Sequence, residues 1–266
     1  MQKVLIVLLV ISMVVWEPAC LVPNRCPSQP CPSPSNEFNP SELLDGLRKQ
    51  SQPFARFYDD KVAPLGYTIH WFHNTALPLG TARTCVNNDH SATIELGNVS
   101  PGDDVAFTIA HELAAIITAS QGYKFVQYKA RCETLGTYLS EMISTPLRDA
   151  ILANCDLDAT REFYTYRLPP LLHASCYETD ELTGQLQNAC LYVLLVLYWQ
   201  DTLGNHEIPP NIDSIFERCF PHSREKGQHI LAIIAETRGY DTAAKTTAIL
   251  QRVIREHELE DCICVP

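Results

Sequence analysis

The stretch SELLDGLRKQ places Leu43, Leu44 and Leu47 three and four residues apart behind Ser41, a helix-capping residue type. That spacing predicts a helix over residues 41–51, and the aromatic-rich continuation predicts a second over 54–62. YTIHWF (residues 67–72) is β-branched and aromatic and predicts a strand. In ATIELG (residues 92–97), Ala92, Ile94 and Leu96 alternate with Thr93 and Glu95, the pattern of a strand with one buried face. The intervening LPLGTARTCVNNDH reads as a turn-rich loop. Asp103 and Asp104 then suit a helix N-terminus. The helix they open should run to about Ser120, with Gly122 as its stop.

Nearly everything beyond is helical in pattern. A helix is expected over 127–144, with Pro146 at or near the start of the next segment. LRDAILANC and REFYTYRL follow, and Pro169-Pro170 interrupts. ELTGQLQNACLYVLLVLYWQD is the most apolar segment. Its core, ACLYVLLVLYW, is too short to cross a bilayer and predicts a buried helix. SREKGQHILAIIAETRG and TAAKTTAILQRVIREHEL predict two more helices. A few strands followed by many helices indicate an α+β fold, mostly helical with a small N-terminal sheet.

The ends of the chain add a compartment. VLIVLLVISMVVW, behind Lys3, has the length of a secretory h-region, so residues 1–19 read as a signal peptide or signal anchor. Residues 20–40 are proline-rich and polar and read as an extended linker, and 41–266 as a single folded domain. The 11 cysteines include no pair of C-x-x-C knuckles, which argues against a zinc ribbon. They suit either free buried thiols or disulfides in an oxidising compartment. The Cys262-Ile263-Cys264 end offers a disulfide, a soft-metal site or a tail thiol pair. Asn98-Val-Ser is a glycosylation acceptor if the chain enters a eukaryotic secretory pathway. A net charge of −11 argues against an electrostatic nucleic-acid binder, which usually carries a basic face.

The candidate chemistry lies in TIAHELAAIITAS (residues 108–120). A zinc-binding H-E-x-x-H helix needs histidines at i and i+4, which share a face; here His111 and Glu112 are present but Ala115 stands in the second place. A catalytic zinc takes three protein ligands plus a carboxylate that activates its water. In that frame His111 is a ligand, Glu112 the general base and Glu133 the third ligand, ahead of Glu141. His70, His73 and His90 form a second, weaker grouping.

FTIAHEL resembles the entry to the active helix of gluzincin-type metallopeptidases. ETLGTYLSEMISTP resembles the glutamate helix of immunity-type metallopeptidases, through Glu133, Gly136, Leu139, Met142, Ile143 and Pro146. The likeness covers residues 67–146 and implies a zincin-like fold. With Ala115 in place, it implies a decayed metal site that holds no cofactor, and a protein acting by binding or regulation on a protein or peptide ligand. Such a relic leaves Glu112 at a partly hydrated cleft. Two alternatives stay open. One is an active zinc-dependent hydrolase completed by His73 or His90; the other is a disulfide-stabilised helical binding domain. Each is secreted or held outside the cytoplasm by an N-terminal membrane tether.

Overall fold

A computed structural model of the chain describes residues 36–77, 81–87, 89–98, 105–157, 176–202, 204 and 210–266. The apolar leader, most of the linker, the Asp103-Asp104 cap and REFYTYRL lie outside the described residues. Among the described residues the protein is mostly helical with a small mixed sheet, an α+β arrangement. The chain divides into two compact units.

The first unit comprises Trp16–Tyr123 and Arg148–Asp158. Its helices α1 (Ser41–Gln50) and α2 (Gln52–Phe57) bury Leu44, Leu47, Phe54 and Phe57. The Ser51 hydroxyl caps α2 by accepting from the Phe54 amide, and Pro53 sits in the first turn, where its missing amide costs nothing. The expected helix over 54–62 ends earlier as an α-helix. It passes through a π-helical turn (Tyr58–Val62) and a 3-10 turn (Ala63–Leu65) to Gly66, whose φ of 68° reverses the chain.

Strands β1 (Thr68–His73), β2 (Ala82–Val86) and β3 (Ser91–Leu96) form one sheet in the order β1-β3-β2. β1 runs parallel to β3 and β2 antiparallel to it. β2 lies inside the segment expected to be a loop. Its buried residues, Ala82 and Cys85, do not alternate, so the strand is fixed by pairing with β3 rather than by its own pattern. β3 departs from expectation too. As the central strand it is covered on both faces, and the face expected to meet water carries Thr93 at 7% and Glu95 at 2% exposure. Glu95 is satisfied there by Arg83 Nη2, at 3.0 and 2.9 Å from its two oxygens, and by the Asn74 side-chain amide.

Helix α3 (Val105–Ser120) packs on β2, on α2 and on the π-helical turn. It is apolar on nearly every side, and its residues from Ile109 to Thr118 are all buried. Gly122, with φ of 86°, stops it as expected: Tyr123 N–H bonds to Thr118 O and Gly122 N–H to Ala119 O, the paired bonds of a Schellman end.

The second unit comprises the described residues of Lys124–Leu147 and Ala159–Pro266. A two-stranded sheet pairs β4 (Gln127–Tyr128) with the C-terminal β5 (Ile263–Cys264). Helix α4 (Glu133–Ala153) starts in this unit and gives its last residues, from Arg148, to the first. Pro146 lies inside α4 and begins no new segment. Burial of Leu139, Met142 and Ile143 before it and Leu152 after it carries the helix past the lost amide. A Cβ on Gly136 would fall on the Tyr128 ring, so the small residue of the ETLG pattern serves close packing between α4 and β4.

The apolar helix α5 (Leu182–Leu197) is buried along most of its length, as expected. α7 (Pro221–Glu236) is its main partner, and Gly227 makes the approach close, since a Cβ there would meet Tyr192 Cδ1 at 2.6 Å. α6 (Pro210–Cys219) was not apparent from the sequence pattern. It supplies Asp213, which accepts from Tyr192 Oη and from Arg224 Nε, each at 2.8 Å. Helix α8 (Ala243–Glu256) is capped by Thr242 and packs on α7 and β5. Among the described residues no helix is long and apolar enough to cross a membrane.

Disulfides join Cys132 to Cys262 and Cys176 to Cys219, and Cys85 and Cys264 are also disulfide-bonded. The Cys262-Ile263-Cys264 end is therefore a paired strand and not a loose thiol tail. Cys132–Cys262 closes a separation of 130 residues. By loop-closure entropy such a link contributes on the order of 5 kcal/mol.

Two measurements follow from this architecture. Alkylation of the denatured, unreduced protein, mapped by mass spectrometry, should label Cys155 and Cys190 alone among the cysteines from Cys85 onward. The second concerns His257, which burial, His229 and Lys226 together hold below its ordinary value near 6.5. A group depressed in the folded state adds stability that is present above its unfolded value and lost as pH falls through the folded one. Urea midpoints should thus fall from about pH 7 to about pH 5, and His257→Gln should flatten part of that slope. An unchanged slope would refute the assignment.

Candidate functional site

His111 and Glu112 are the only ionisable residues in VAFTIAHELAAIITAS, and α3 is buried on every side. Both are therefore inside: His111 is 3% and Glu112 1% exposed. The partly hydrated cleft expected for Glu112 is not where it lies. On the helix next to it, the Glu112 carbonyl accepts from Thr84 Oγ1 at 3.2 Å, which ties α3 to β2.

Two residues not singled out from the sequence complete the cluster. Arg148 and Asp149, 4% and 0% exposed, come from the last turns of α4. Asp149 Oδ1 lies 2.7 Å from His111 Nδ1, and Arg148 Nη1 lies 3.3 Å from His111 Nε2. A guanidinium only donates, so Nε2 is the acceptor in its contact with Arg148. The ring proton then sits on Nδ1 and is donated to Asp149. The Phe107 ring flanks the imidazole in a tilted arrangement, centroid to centroid 6.3 Å. The result is a buried imidazole with one nitrogen on a carboxylate and the other on a guanidinium.

A signal for Asp149 existed. Met142, Asp149 and Leu152 fall at i, i+7 and i+10 of one helix, so the aspartate occupies the apolar stripe. A charge at such a position requires a buried partner.

The other expected site residues are dispersed among separate duties. Glu133 is the first residue of α4, in the other unit, where its charge meets the positive helix end and its carbonyl accepts from Thr137 Oγ1 at 3.0 Å. Glu141 accepts from the Thr145 hydroxyl one turn on. In the first unit, His70 Nδ1 is 2.9 Å from Glu37 Oε1, His73 stacks on Phe38 at 4.3 Å, and His90 faces Tyr67 at 5.1 Å. Cys132, beside Glu133, is held in its disulfide. Among the described residues no group of three or more His, Cys, Asp or Glu side chains is arranged to hold a metal ion.

No protein-family profile matches the chain, and no curated protein or solved structure is significantly similar to it.

The cluster yields a stability test. Asp149→Asn keeps the shape but removes the charge that faces the buried His111–Arg148 pair. Breaking a buried ionic network this way should cost on the order of 3 kcal/mol in a denaturant melt. A loss within about 0.5 kcal/mol, the range of ordinary surface changes, would show that the contact is not structural.

Proposed function

We propose that this protein is an exported, disulfide-stabilised binding protein. Its zincin-like helix serves as a structural element and performs no hydrolysis. The observation that carries this reading is the Arg148 guanidinium 3.3 Å from His111 Nε2. That nitrogen carries the lone pair a zinc ion would need. A fixed cation beside it repels a dication and already uses the lone pair. The absent imidazole at Ala115 and the buried position of Glu112, which takes the expected base out of reach of bulk water, support the same conclusion. Export is supported by the apolar leader and by six cysteines held in disulfides from Cys85 onward.

One observation favours the metallohydrolase alternative. A carboxylate on the second ring nitrogen is what zinc-bound histidines ordinarily carry, and Asp149 provides it. In that reading Arg148 swings away and His111 Nε2 turns to the metal.

Metal content separates the two. The full chain, purified without chelators, is expected to hold far less than one zinc per chain, and Arg148→Ala to raise zinc affinity above that of the wild type. About one tightly held zinc per wild-type chain would overturn the binding-protein reading and establish the hydrolase one.

A further inference from the structure

We infer that the outer edge of β1 is a docking site for an extended peptide that carries an acidic residue followed by an aromatic one. In this structure the chain's own residues Asn36 to Phe38 occupy it. The inference rests on the proposed binding role and names the class of ligand.

Among the described strands β1 pairs with β3 alone and lies at the edge of the sheet. Its even-numbered residues face β3: the Thr68 amide bonds to His90 O, and Asn74, just past the strand, to Leu96 O. The odd-numbered residues present their main-chain groups outward. There the Phe38 amide donates to Trp71 O at 2.9 Å, and the His73 amide donates to Asn36 O at 3.0 Å. These two bonds flank Glu37 and Phe72, which stand opposite each other as a single antiparallel bridge. The segment is thus one step of strand addition, the way extended peptides join sheet edges.

Side chains read the segment as well as main chain. Opposed residues of an antiparallel pair share a face, so Glu37 projects on the side of Phe72 and His70, and its carboxylate meets His70 Nδ1 at 2.9 Å. Phe38 projects on the other side. It stacks on His73 at 4.3 Å and meets Trp71 edge-on at 6.4 Å. The receptor positions are therefore His70 for the acid, and Trp71 with His73 for the ring.

Glu37 and His70 are both exposed, and among the described residues the main-chain pairing of the occupant with β1 comprises two bonds. Pro27, Pro30, Pro32 and Pro34 precede it, and each lacks the amide that further pairing would require. Immediately after it, Asn39 Oδ1 accepts from the amide and hydroxyl of Ser41 at 3.0 and 2.7 Å, which fixes the start of α1. Release of Asn36 to Phe38 accordingly leaves α1 in place. A free peptide with the same acid–ring order meets the same groups.

The probe is a labelled peptide, SPSNEFNP, titrated by fluorescence anisotropy into the full chain. Phe38→Ser weakens the resident segment, and this variant should bind the peptide at least about tenfold more tightly than the wild type, because its edge is vacant more often. His70→Glu added to that variant should abolish binding of SPSNEFNP and favour SPSNKFNP. Equal affinity of wild type and Phe38→Ser, or binding indifferent to His70→Glu, overturns the inference. Hydrogen exchange on the wild type gives a reading that does not need the variants to fold. The His73 amide should exchange faster than the Phe72 amide, and equal protection would mean that the segment does not open. Dimerisation of the wild type that His70→Glu abolishes would give the edge to a second copy and overturn the peptide assignment. Zinc content enters none of these readouts, so failure here is distinct from failure of the non-catalytic reading.

Discussion

A helix that is apolar on every side must be buried on every side, and most of the first unit follows from meeting that demand for Val105–Ser120. β2, α2 and the π-helical turn pack against it, and its Schellman end turns the chain away at Gly122. The same demand fixes the fate of His111 and Glu112. Two ionisable groups carried into a packed interior need partners there, because an unpaired buried charge costs several kcal/mol or more. Arg148 and Asp149 meet His111 from α4, and the aspartate occupies a place on its helix that a leucine would otherwise fill.

That arrangement places a fixed cation where a metallopeptidase helix of similar sequence would direct its histidine at a metal. In a zinc site the outer carboxylate orients the histidine and the metal takes the other nitrogen. Here a carboxylate meets one nitrogen and a guanidinium faces the other. The imidazole becomes the centre of a hydrogen-bonded chain, Arg148 to His111 to Asp149, whose value is to specify how two segments distant in sequence meet. The covalent links act at a different level. Cys132–Cys262 ties the start of α4 to the last strand, and Cys176–Cys219 ties the approach to α5 to the end of α6, so the second unit is constrained where its sheet has only two strands. In the first unit, β1 supplies a sheet edge.

The sequence by itself determined the elements whose signal is local. The helices of residues 41–50, 182–197, 221–236 and 243–256 follow from apolar spacing, and β1 from its aromatic and β-branched run. Gly122 was legible because only a left-handed residue closes such a helix end. His111-Glu112 stood out too, as the ionisable pair inside an otherwise apolar helix. What tertiary structure alone decided is whatever depends on a partner remote in sequence. β2 is a strand because β3 lies beside it, and β3 loses its solvent face because it is central. Pro146 stays inside α4 because packing on both sides outweighs one lost hydrogen bond. The role of His111 is set by Asp149, 38 positions away, and by Arg148 beside it. A spacing rule along one helix reports which groups share a face; the identity of the group across the gap is a property of the fold, and here that group is an arginine paired with an aspartate.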